Sequence, residues 1–397
     1  MSTTHLARPA TTFTRSLVSI GRDESAPRAA LRVGVSVLVP LVVLLLIGHI
    51  EWSVYGAFGA FASVYGRNVA QGARLRMQAT AGLVMVVSVV LGSAIALTPQ
   101  REWLTVAIAS VWAVVVALLS QAARFTPPGP LFAVFALCAV ASIPATSIAG
   151  GSGFGDAPAV SIVIAVVVSA ASAVFALLVG QVGALAARSV QSAQSAQSVQ
   201  SVQRRAPGEA VSTQQRGSGG PTAGAAALAR LASVLRSRAS LLSAARFGVA
   251  LAVAGSLSTA LGIGHPYWAM VAAVVPLVAF ELAQTMVRGT HRVLGTLVGL
   301  VLAWGLLLLQ PAGLWAILLV VALQVVAELM VLRNYGVALI FITPLALVMV
   351  SMAHPTDPSA LIADRGVETL LGTLVAVAVA LVWSAARTAS SRRPGRP

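Results

Sequence analysis

The sequence predicts an all-α, polytopic membrane protein with about 12 transmembrane helices, arranged as two tandem six-helix repeats in the same orientation. Three observations lead to this fold class. The chain of 397 residues is 58% hydrophobic and only 9% charged, whereas a soluble domain is about 25% charged. Its apolar residues form runs long enough to cross a bilayer. Short motifs also recur in the two halves of the chain.

The apolar runs set the number of predicted spans. A helix that crosses a bilayer needs about 20 apolar residues. Six such runs precede a polar linker and six follow it. They lie at about 31–50, 52–70, 75–97, 102–120, 130–149, 158–187, 241–263, 266–285, 292–310, 312–331, 333–353 and 360–386.

The distribution of arginine predicts the orientation of these spans. All 26 basic residues are arginine, and the formal net charge is +15. With a cytoplasmic N-terminus, 24 of the 26 lie on the cytoplasmic side, and only Arg101 and Arg365 lie outside, as the positive-inside rule requires. We therefore expect a multi-pass protein of the cell inner (cytoplasmic) membrane with both termini cytoplasmic. Because the arginines follow the topology, their charge does not predict nucleic-acid binding.

The chain divides into five predicted segments. They are a cytoplasmic N-terminal tail (1–30), a first membrane repeat (31–187), a cytoplasmic linker (188–240), a second membrane repeat (241–386) and a cytoplasmic C-terminal tail (387–397). Ser–Val/Ala–Gln triplets and a Gly/Gln/Pro-rich stretch predict a flexible linker. The leucines and arginines at its end fit either an amphipathic helix on the anionic inner leaflet or an ordinary juxtamembrane segment.

Two short motifs carry the evidence for a duplication. The letters IGHIEW end at Trp52 and the letters IGHPYW end at Trp268, and an arginine follows 24 residues later in both halves, at Arg76 and Arg292. Each half has an even number of predicted spans, so the repeats share one orientation and their pseudo-two-fold axis runs along the membrane normal. The interface between the repeats is therefore the predicted place for a pathway.

Several kinds of chemistry are excluded by composition. The chain has no lysine, so it lacks both the P-loop lysine and a Schiff-base nucleophile. Its single cysteine, Cys138, permits no disulfide within the chain. No metal-ligand spacing, nucleophile triad or nucleotide fingerprint is present. We expect no enzyme activity, no catalytic residues, no metal and no cofactor.

Three glutamates lie within predicted spans of the second half: Glu281, Glu328 and Glu368. An ionised side chain at the centre of a bilayer costs at least about 2.5 kcal/mol, so each needs a reason. We interpret all three as candidates for proton coupling or as buried acids. The structural alternatives are a local pair between Glu328 and Arg333, and a one-turn ion pair between Glu368 and Arg365.

Arginines near the predicted inner ends of the spans are candidate substrate-binding residues, because the planar guanidinium binds a carboxylate bidentately. The positive-inside rule alone would also place arginine there. His49 and His265 occupy equivalent outer positions and, with Arg365, are candidates for the outer mouth, although an interfacial histidine can also be without function. The candidate substrate-binding residues are Arg76, Arg288, Arg292 and Arg333.

A series of short motifs runs through the second half of the chain. They are YWA from Tyr267, RVLGTLVG from Arg292, RNY from Arg333, TPL from Thr343 and RGVETLLG from Arg365. In their order and spacing they resemble the fusaric-acid-resistance (FUSC-like) family, which includes aromatic acid exporters and is related to plant malate-activated anion channels. The first half matches more loosely, through Trp52, Gly56, Tyr65–Arg67 and Pro127–Pro130.

This chain departs from the family in two respects. The family often has aspartate at the position of Glu368. Its larger members also insert a sizeable cytoplasmic domain between the halves, where this chain has only the short linker. The resemblance therefore implies nothing about regulation that depends on such a domain.

The resemblance implies transport of organic anions, aromatic and other carboxylates, outward across the cytoplasmic membrane. We expect a permease that exports small organic acids and is driven by a proton gradient or by the membrane potential. In this interpretation Arg292 and its neighbours attract the carboxylate, and Glu281 takes part in proton coupling. The alternatives are a passive organic-anion channel of the same fold and a non-transporting scaffold or accessory subunit. The expected partners are small organic anions and the lipid bilayer, and a homodimer is left open.

Overall fold

The computed structural model describes residues 17–21, 23–143, 158–203, 223–279, 281–353 and 357–391. In this part of the chain the secondary structure is helical. The first half contains α1 (Ala26–Leu46), α2 (Ser53–Ala60), α3 (Gln71–Ala96), α4 (Arg101–Ala123), α5 (Leu131–Ser142) and α6 (Pro158–Gln203). The rest contains α7 (Ala223–Arg236), α8 (Arg238–Ala260), α9 (Tyr267–Leu277), α10 (Leu282–Leu308), α11 (Gly313–Met330), α12 (Tyr335–Ala353) and α13 (Pro358–Ser391).

Nine helices of the described residues are long and apolar enough to cross a membrane: α1, α3, α4, α6, α8 and α10 to α13. Together with the composition, they confirm the prediction of an all-helical, multi-pass membrane protein. Besides α7, three apolar helices are shorter than a bilayer requires. These are α2 with eight residues, α5 with 12 and α9 with 11. Residues 144–157, which follow α5, lie outside the described part.

The second helix of each half ends partway along the bundle, so the predicted continuous spans at 52–70 and 266–285 are wrong. After α2 a 3-10 turn ends at Val64, Tyr65 is extended, and Gly66 takes a φ of +79°, which glycine adopts without steric cost. In the second half, α9 ends at Leu277, one residue after Pro276, whose missing N–H weakens the last turn of the helix. The chain then starts α10 at Leu282, ten residues before the predicted span.

Arginines from the first helix of each half bind the ends of these short helices. Arg32 Nε donates to the carbonyl of Ser63, in the 3-10 turn that continues α2, at 3.0 Å. Arg246 Nη2 donates to the carbonyl of Leu277 at 2.7 Å. The carbonyl end of a helix carries partial negative charge and is stabilised by a nearby cation. The two arginines therefore stabilise backbone breaks that would be costly in an apolar interior.

The helices of the two halves pair in the same pattern. The third helix packs on the fifth and sixth in each half: α3 on α5 and α6, and α10 on α12 and α13. The second packs on the sixth, as α2 on α6 and α9 on α13. Between the halves, α1 packs on α11 and α4 packs on α8. One cluster of buried apolar residues extends through both halves.

Glycines allow some of these helices to approach closely. A Cβ at Gly372 would clash with the carbonyl of Ala269, where α13 crosses α9. A Cβ at Gly295 would clash with the carbonyl of Gly336, where α10 crosses α12. Small residues allow this backbone approach in membrane bundles.

The described parts of the predicted flexible linker are largely helical. Helix α6 has 46 residues and continues through the Ser–Val/Ala–Gln triplets to Gln203, about 69 Å in all at the usual helical rise. The triplets contain no glycine or proline, and alanine and glutamine favour helix. Residues 204–222 lie outside the described part. Helix α7 follows and packs on α4, and Leu228 and Leu235 stay exposed.

Candidate functional site

A cavity of about 1100 Å³ lies between the two halves of the bundle. The first half contributes the segment after α2, the turn after α4 and the start of α5. The second half contributes residues of α9 to α13. The short helices α2 and α9 end beside this cavity, so the interruption of both helices leaves the space that forms it.

The first half gives the cavity an aromatic wall, which consists of Phe61, Tyr65, Phe132 and Phe135. Their rings pack edge to face: Phe132 lies 5.7 Å from Phe61 and 5.9 Å from Tyr65 between ring centroids. Phe135 continues the wall to Trp268 of the second half, at 5.3 Å. This packing holds the rings in place and presents an apolar surface to the cavity.

The second half gives the cavity a cationic wall. We call the end of the bundle at which α10 and α12 begin the arginine-rich end. The wall runs from this end inward and consists of Arg288, Arg292, Arg333 and Arg365. Three of the four predicted substrate-binding arginines therefore line the cavity. The fourth, Arg76, lies exposed on α3 and is not part of the lining.

The placement of Arg76 follows from a two-residue shift between the halves. The carbonyls bound by Arg32 and Arg246 lie 11 residues after Trp52 and nine after Trp268. Counted from these carbonyls, the pattern of buried residues in α3 matches the pattern in α10 when Gln78 is aligned with Arg292. In the first half, Gln78 Nε2 donates to the carbonyl of Tyr65 at 3.1 Å. The equal Trp–Arg spacing in the sequence therefore does not reflect equivalent positions.

Arg292 is buried and only partly hydrogen-bonded. It lies about 15 Å along α10 at the usual helical rise, and its side chain is 3% exposed. Its Nη1 lies 3.5 Å from the hydroxyl of Tyr335. Its Nε and Nη2 have no hydrogen-bond partner among the described residues. Buried donors without acceptors are costly, so an anion in the cavity would stabilise this side chain.

Arg365 is the second buried guanidinium with unused donors. It is 1% exposed, and its Cζ lies 3.8 Å from the ring centroid of Trp268. Its Nε and Nη1 have no partner among the described residues. The structure places the Arg365 side chain in the lining of the central cavity, and its role at an outer mouth stays a prediction. This placement follows from its depth of about two turns in α13, on the face that packs on α9.

Glu368 lies one turn beyond Arg365 and is fully buried. The predicted ion pair between them is absent: the salt bridges of the described residues do not include it. Glu368 Oε1 accepts a hydrogen bond from the Ser258 hydroxyl at 3.2 Å, and Oε2 has no partner among the described residues. This carboxyl group is therefore shielded from bulk solvent and forms no ion pair with the described residues, which is costly for its charged form.

The other two predicted acids lie in surroundings that differ from the expected ones. Glu281 is exposed at the start of α10 rather than deep in a span, because the preceding helix ends at Leu277. Glu328 is buried, and its Oε1 lies 2.7 Å from Nη2 of Arg67. The expected partner, Arg333, instead reaches the N-terminal segment. Glu328 therefore pairs across the two halves rather than within its own loop.

The two histidines lie at the end opposite the arginine-rich end, and neither lines the cavity. His49 Nδ1 lies 2.8 Å from Glu51 Oε1. His265 Nδ1 lies 2.8 Å from Asp364 Oδ2, one residue before Arg365. His265 therefore connects the start of α9 to α13 near the cavity.

Sequence reasoning missed three groups at the cavity. Arg67 bridges the halves, Trp268 supports Arg365, and Asn334 binds the segment before α1. A signal for all three was present, since the segment Tyr65–Arg67 and the motifs YWA and RNY contain them. Their partners are far away in the sequence, and no local spacing indicates them.

Comparison with known proteins supports the interpretation of the second half. Residues 251–379 match the sequence profile of the family described as "Fusaric acid resistance protein-like". Over 114 residues, 29% of the chain, the protein is 31% identical to "Uncharacterized membrane protein YvaC" of Bacillus subtilis (strain 168). The match covers 18% of that relative's length. No solved structure shows significant similarity. The resemblance to the fusaric-acid-resistance family is confirmed for residues 251–379, which contain the motifs from Arg292 to Gly372.

Proposed function

We propose that the protein is a membrane permease for small organic anions, and that aromatic carboxylates are the class that its cavity accepts. One observation carries the proposal: two buried guanidinium groups with unused donors line a cavity whose opposite wall is aromatic. The match to a family of fusaric acid resistance-like membrane proteins supports membrane transport as the general function.

The cationic wall supports an anionic substrate. Arg292 and Arg365 each have two buried nitrogen atoms without a partner among the described residues. A carboxylate would accept charge-assisted hydrogen bonds from such donors, and these are the stronger kind. Arg32 and Arg246 bind the carbonyl ends of α2 and α9. The negative helix ends beside the cavity are thus compensated and repel an anion less.

The aromatic wall supports a substrate with a planar apolar part. Rings of a bound ligand can pack edge to face or offset on Phe61, Phe132 and Phe135. A cavity of about 1100 Å³ is at the upper end of ordinary ligand pockets, which are about 300–1,000 Å³. One small aromatic acid would therefore leave room for water or for a larger homologue.

The proposed architecture is two tandem six-helix repeats in one orientation, with both termini cytoplasmic in the inner membrane. The shared helix pairing of the two halves supports it. In this architecture α2, α5 and α9 are shorter members of the repeats, and the arginine-rich end faces the cytoplasm. Interrupted helices at the substrate site are typical of transporters built from repeats.

Glu368 is the proposed proton-coupling residue, in place of Glu281. It is buried one turn from Arg365, whereas Glu281 is exposed at a helix start. Protonation of Glu368 would remove a negative charge near the anion site. Export through the cavity would then use the proton gradient as well as the membrane potential.

A passive anion channel is the second candidate. The membrane potential alone drives an anion outward by about 2.3 kcal/mol per charge per 100 mV. Arg365 forms no ion pair with the residues that the structure describes, and this suits a channel equally well. A steady current of benzoate through the purified protein at symmetric pH would identify a channel, whereas an exporter would give flux that depends on the proton gradient.

The proposal is tested in liposomes that contain the purified protein and radiolabelled benzoate. We expect saturable efflux that Arg292→Gln reduces by at least about tenfold, the loss expected for a charge-assisted bond of about 1.5–3 kcal/mol. Arg230→Gln is the control, because it removes the same charge from an exposed position on α7. If folded wild-type protein moves neither benzoate nor larger aromatic acids, the proposal fails and the scaffold interpretation gains support.

A further inference from the structure

A segment before α1 crosses the cavity at the arginine-rich end. The carbonyl of Leu17 lies 3.0 Å from both His291 Nε2 and Asn334 Nδ2. The carbonyl of Ser19 accepts a further hydrogen bond from Asn334 Nδ2 at 3.2 Å. Ser19, His291 and Asn334 all line the cavity. We call residues 17–21 together with Asp23 the N-terminal strap.

The strap continues to two arginines of the cavity lining. The N–H of Gly21 donates to the carbonyl of Arg333 at 2.9 Å. Arg333 Nη2 donates to the carbonyl of Asp23 at 3.3 Å. The carboxylate of Asp23 lies 2.9 Å from Nη1 of Arg67. Because Arg67 belongs to the first half and Arg333 to the second, the strap joins the halves at the arginine-rich end of the cavity. We call this end of the cavity the mouth.

We propose that Arg67 and Arg333 form a second carboxylate-binding site at the mouth of the cavity, and that the strap occupies this site through Asp23 as a built-in competitor of the substrate. The inference rests on the proposed function, because the same class of organic carboxylate binds both sites. In the structure the strap lies across the arginine-rich end of the cavity and contacts both halves. A carboxylate that enters from the arginine-rich end takes the place of Asp23 before it reaches Arg292.

The charges at the mouth fit this role. Nη2 of Arg67 is bound to Glu328, whereas its Nη1 holds the Asp23 carboxylate. Nε of Arg333 is buried without a partner among the described residues. When Asp23 leaves, two guanidinium groups and one carboxylate remain, so the mouth has a net positive charge. It then favours a monoanion.

The Asp23 carboxylate is suited to compete. The hydroxyl of Ser25, its N–H, and the charges of Arg67 and Arg333 hold the pKa of Asp23 below its usual range. The group is therefore anionic at neutral pH, like the substrate. Its tether to α1 gives it a high effective concentration at the site. Rebinding of Asp23 is therefore intramolecular, whereas binding of a free carboxylate depends on the concentration of that carboxylate.

The test uses the full chain with two variants at neighbouring positions. Asp23→Asn removes the competing charge, and Glu24→Gln removes a charge from the exposed next residue. The first readout is the KM of benzoate efflux from liposomes. The second is the rate at which a charged maleimide labels Ala327→Cys, in a Cys138→Ser background. Ala327 lines the cavity and is buried, so its labelling reports an open mouth without any transport.

We expect Asp23→Asn to lower the KM and to raise the labelling rate by at least about fivefold, the lower end of typical coupling between two sites. Glu24→Gln should behave as wild type. A chain that lacks residues 1–21 should be labelled as fast as the Asp23→Asn variant. If Asp23→Asn does not fold, the truncated chain is used for the test in its place. In the truncated chain, Arg333→Gln should raise the KM for benzoate.

Equal labelling rates in Asp23→Asn, Glu24→Gln and wild type would overturn the inference, whatever the transport data show. Faster labelling without benzoate flux in any variant would support the strap and contradict the proposed function. Flux in wild type with no change on removal of the strap would leave the proposed function in place and reject the strap alone.

Discussion

The guanidinium of Arg365 lies over the indole ring of Trp268, with Cζ 3.8 Å from the ring centroid. This cation–π contact holds the arginine through the face of its planar group and does not use its N–H donors. Both residues are buried, and both line the cavity. The contact therefore presents a rigid cation whose edge is available to a ligand.

Replacement of Trp268 should weaken binding without removing the charge. We expect Trp268→Leu to raise the KM of benzoate efflux by about 5- to 30-fold, since a desolvated cation–π contact contributes about 1–2 kcal/mol. Trp268→Phe keeps an aromatic face and should lose less. Initial rates over a range of benzoate concentrations measure the effect. Equal KM values for Trp268→Leu and wild type would show that the indole does not position Arg365.

The two arginines that follow the repeated tryptophan motif should differ in importance. Arg292 is buried in the cavity lining, and Arg76 is exposed on α3. We expect Arg292→Gln to abolish most of the benzoate flux and Arg76→Gln to retain most of it, since an exposed charge contributes about 0–1 kcal/mol. Efflux assays of both variants at equal protein content decide the matter. Loss of flux in both would restore the equivalence that the sequence spacing indicates.

The cap on the end of α2 should contribute to stability. Arg32→Met removes the donor to the Ser63 carbonyl. Among the described residues, that carbonyl then keeps Gln78 as a donor, at 3.5 Å. We expect a loss of about 1–3 kcal/mol in the free energy of unfolding. Arg28→Met, one turn earlier on the same helix and exposed, is the matched control. Denaturant unfolding in detergent measures both, and a similar loss in the control would argue against the cap.

The acid that couples transport to protons should be Glu368. We expect Glu368→Gln to make benzoate efflux insensitive to an imposed pH gradient and still sensitive to the membrane potential. Glu281→Gln should keep both responses, because Glu281 is exposed. The measurement is efflux with each gradient imposed separately. Should Glu368→Gln retain the full pH response, proton coupling does not pass through this residue.

Substitution by alanine should change the stability of the protein in opposite directions at two glycines. Gly372 faces the Ala269 carbonyl, and a Cβ there would clash, so Gly372→Ala should destabilise the protein by about 1–3 kcal/mol. Gly305 lies inside α10 with nothing near a built Cβ. Gly305→Ala should stabilise by about 0.5–1 kcal/mol through helix propensity. Thermal unfolding of the two variants gives the signs. A stabilising Gly372→Ala would mean that α9 and α13 can separate at little cost.

The sequence by itself determined the class of protein and the family of its second half. Mean hydropathy and run lengths suffice for this, because transfer of apolar side chains into lipid depends on composition more than on packing. The motifs from Arg292 onward indicated the family because their order and spacing can be recognised from one sequence. The apolar elements at α2, α5 and α9 were also visible, although not as short helices.

Only the tertiary structure decided where α2 and α9 end and which charges face the cavity. Apolar residues give the same hydropathy whether they contact lipid or protein. The hydropathy profile therefore does not show that a helix is broken inside the bundle. Broken backbone is tolerated at that depth only because Arg32 and Arg246 reach it from other helices. The partnership of Arg67 with Glu328 joins residues 261 positions apart, and no local pattern can report a contact over that separation.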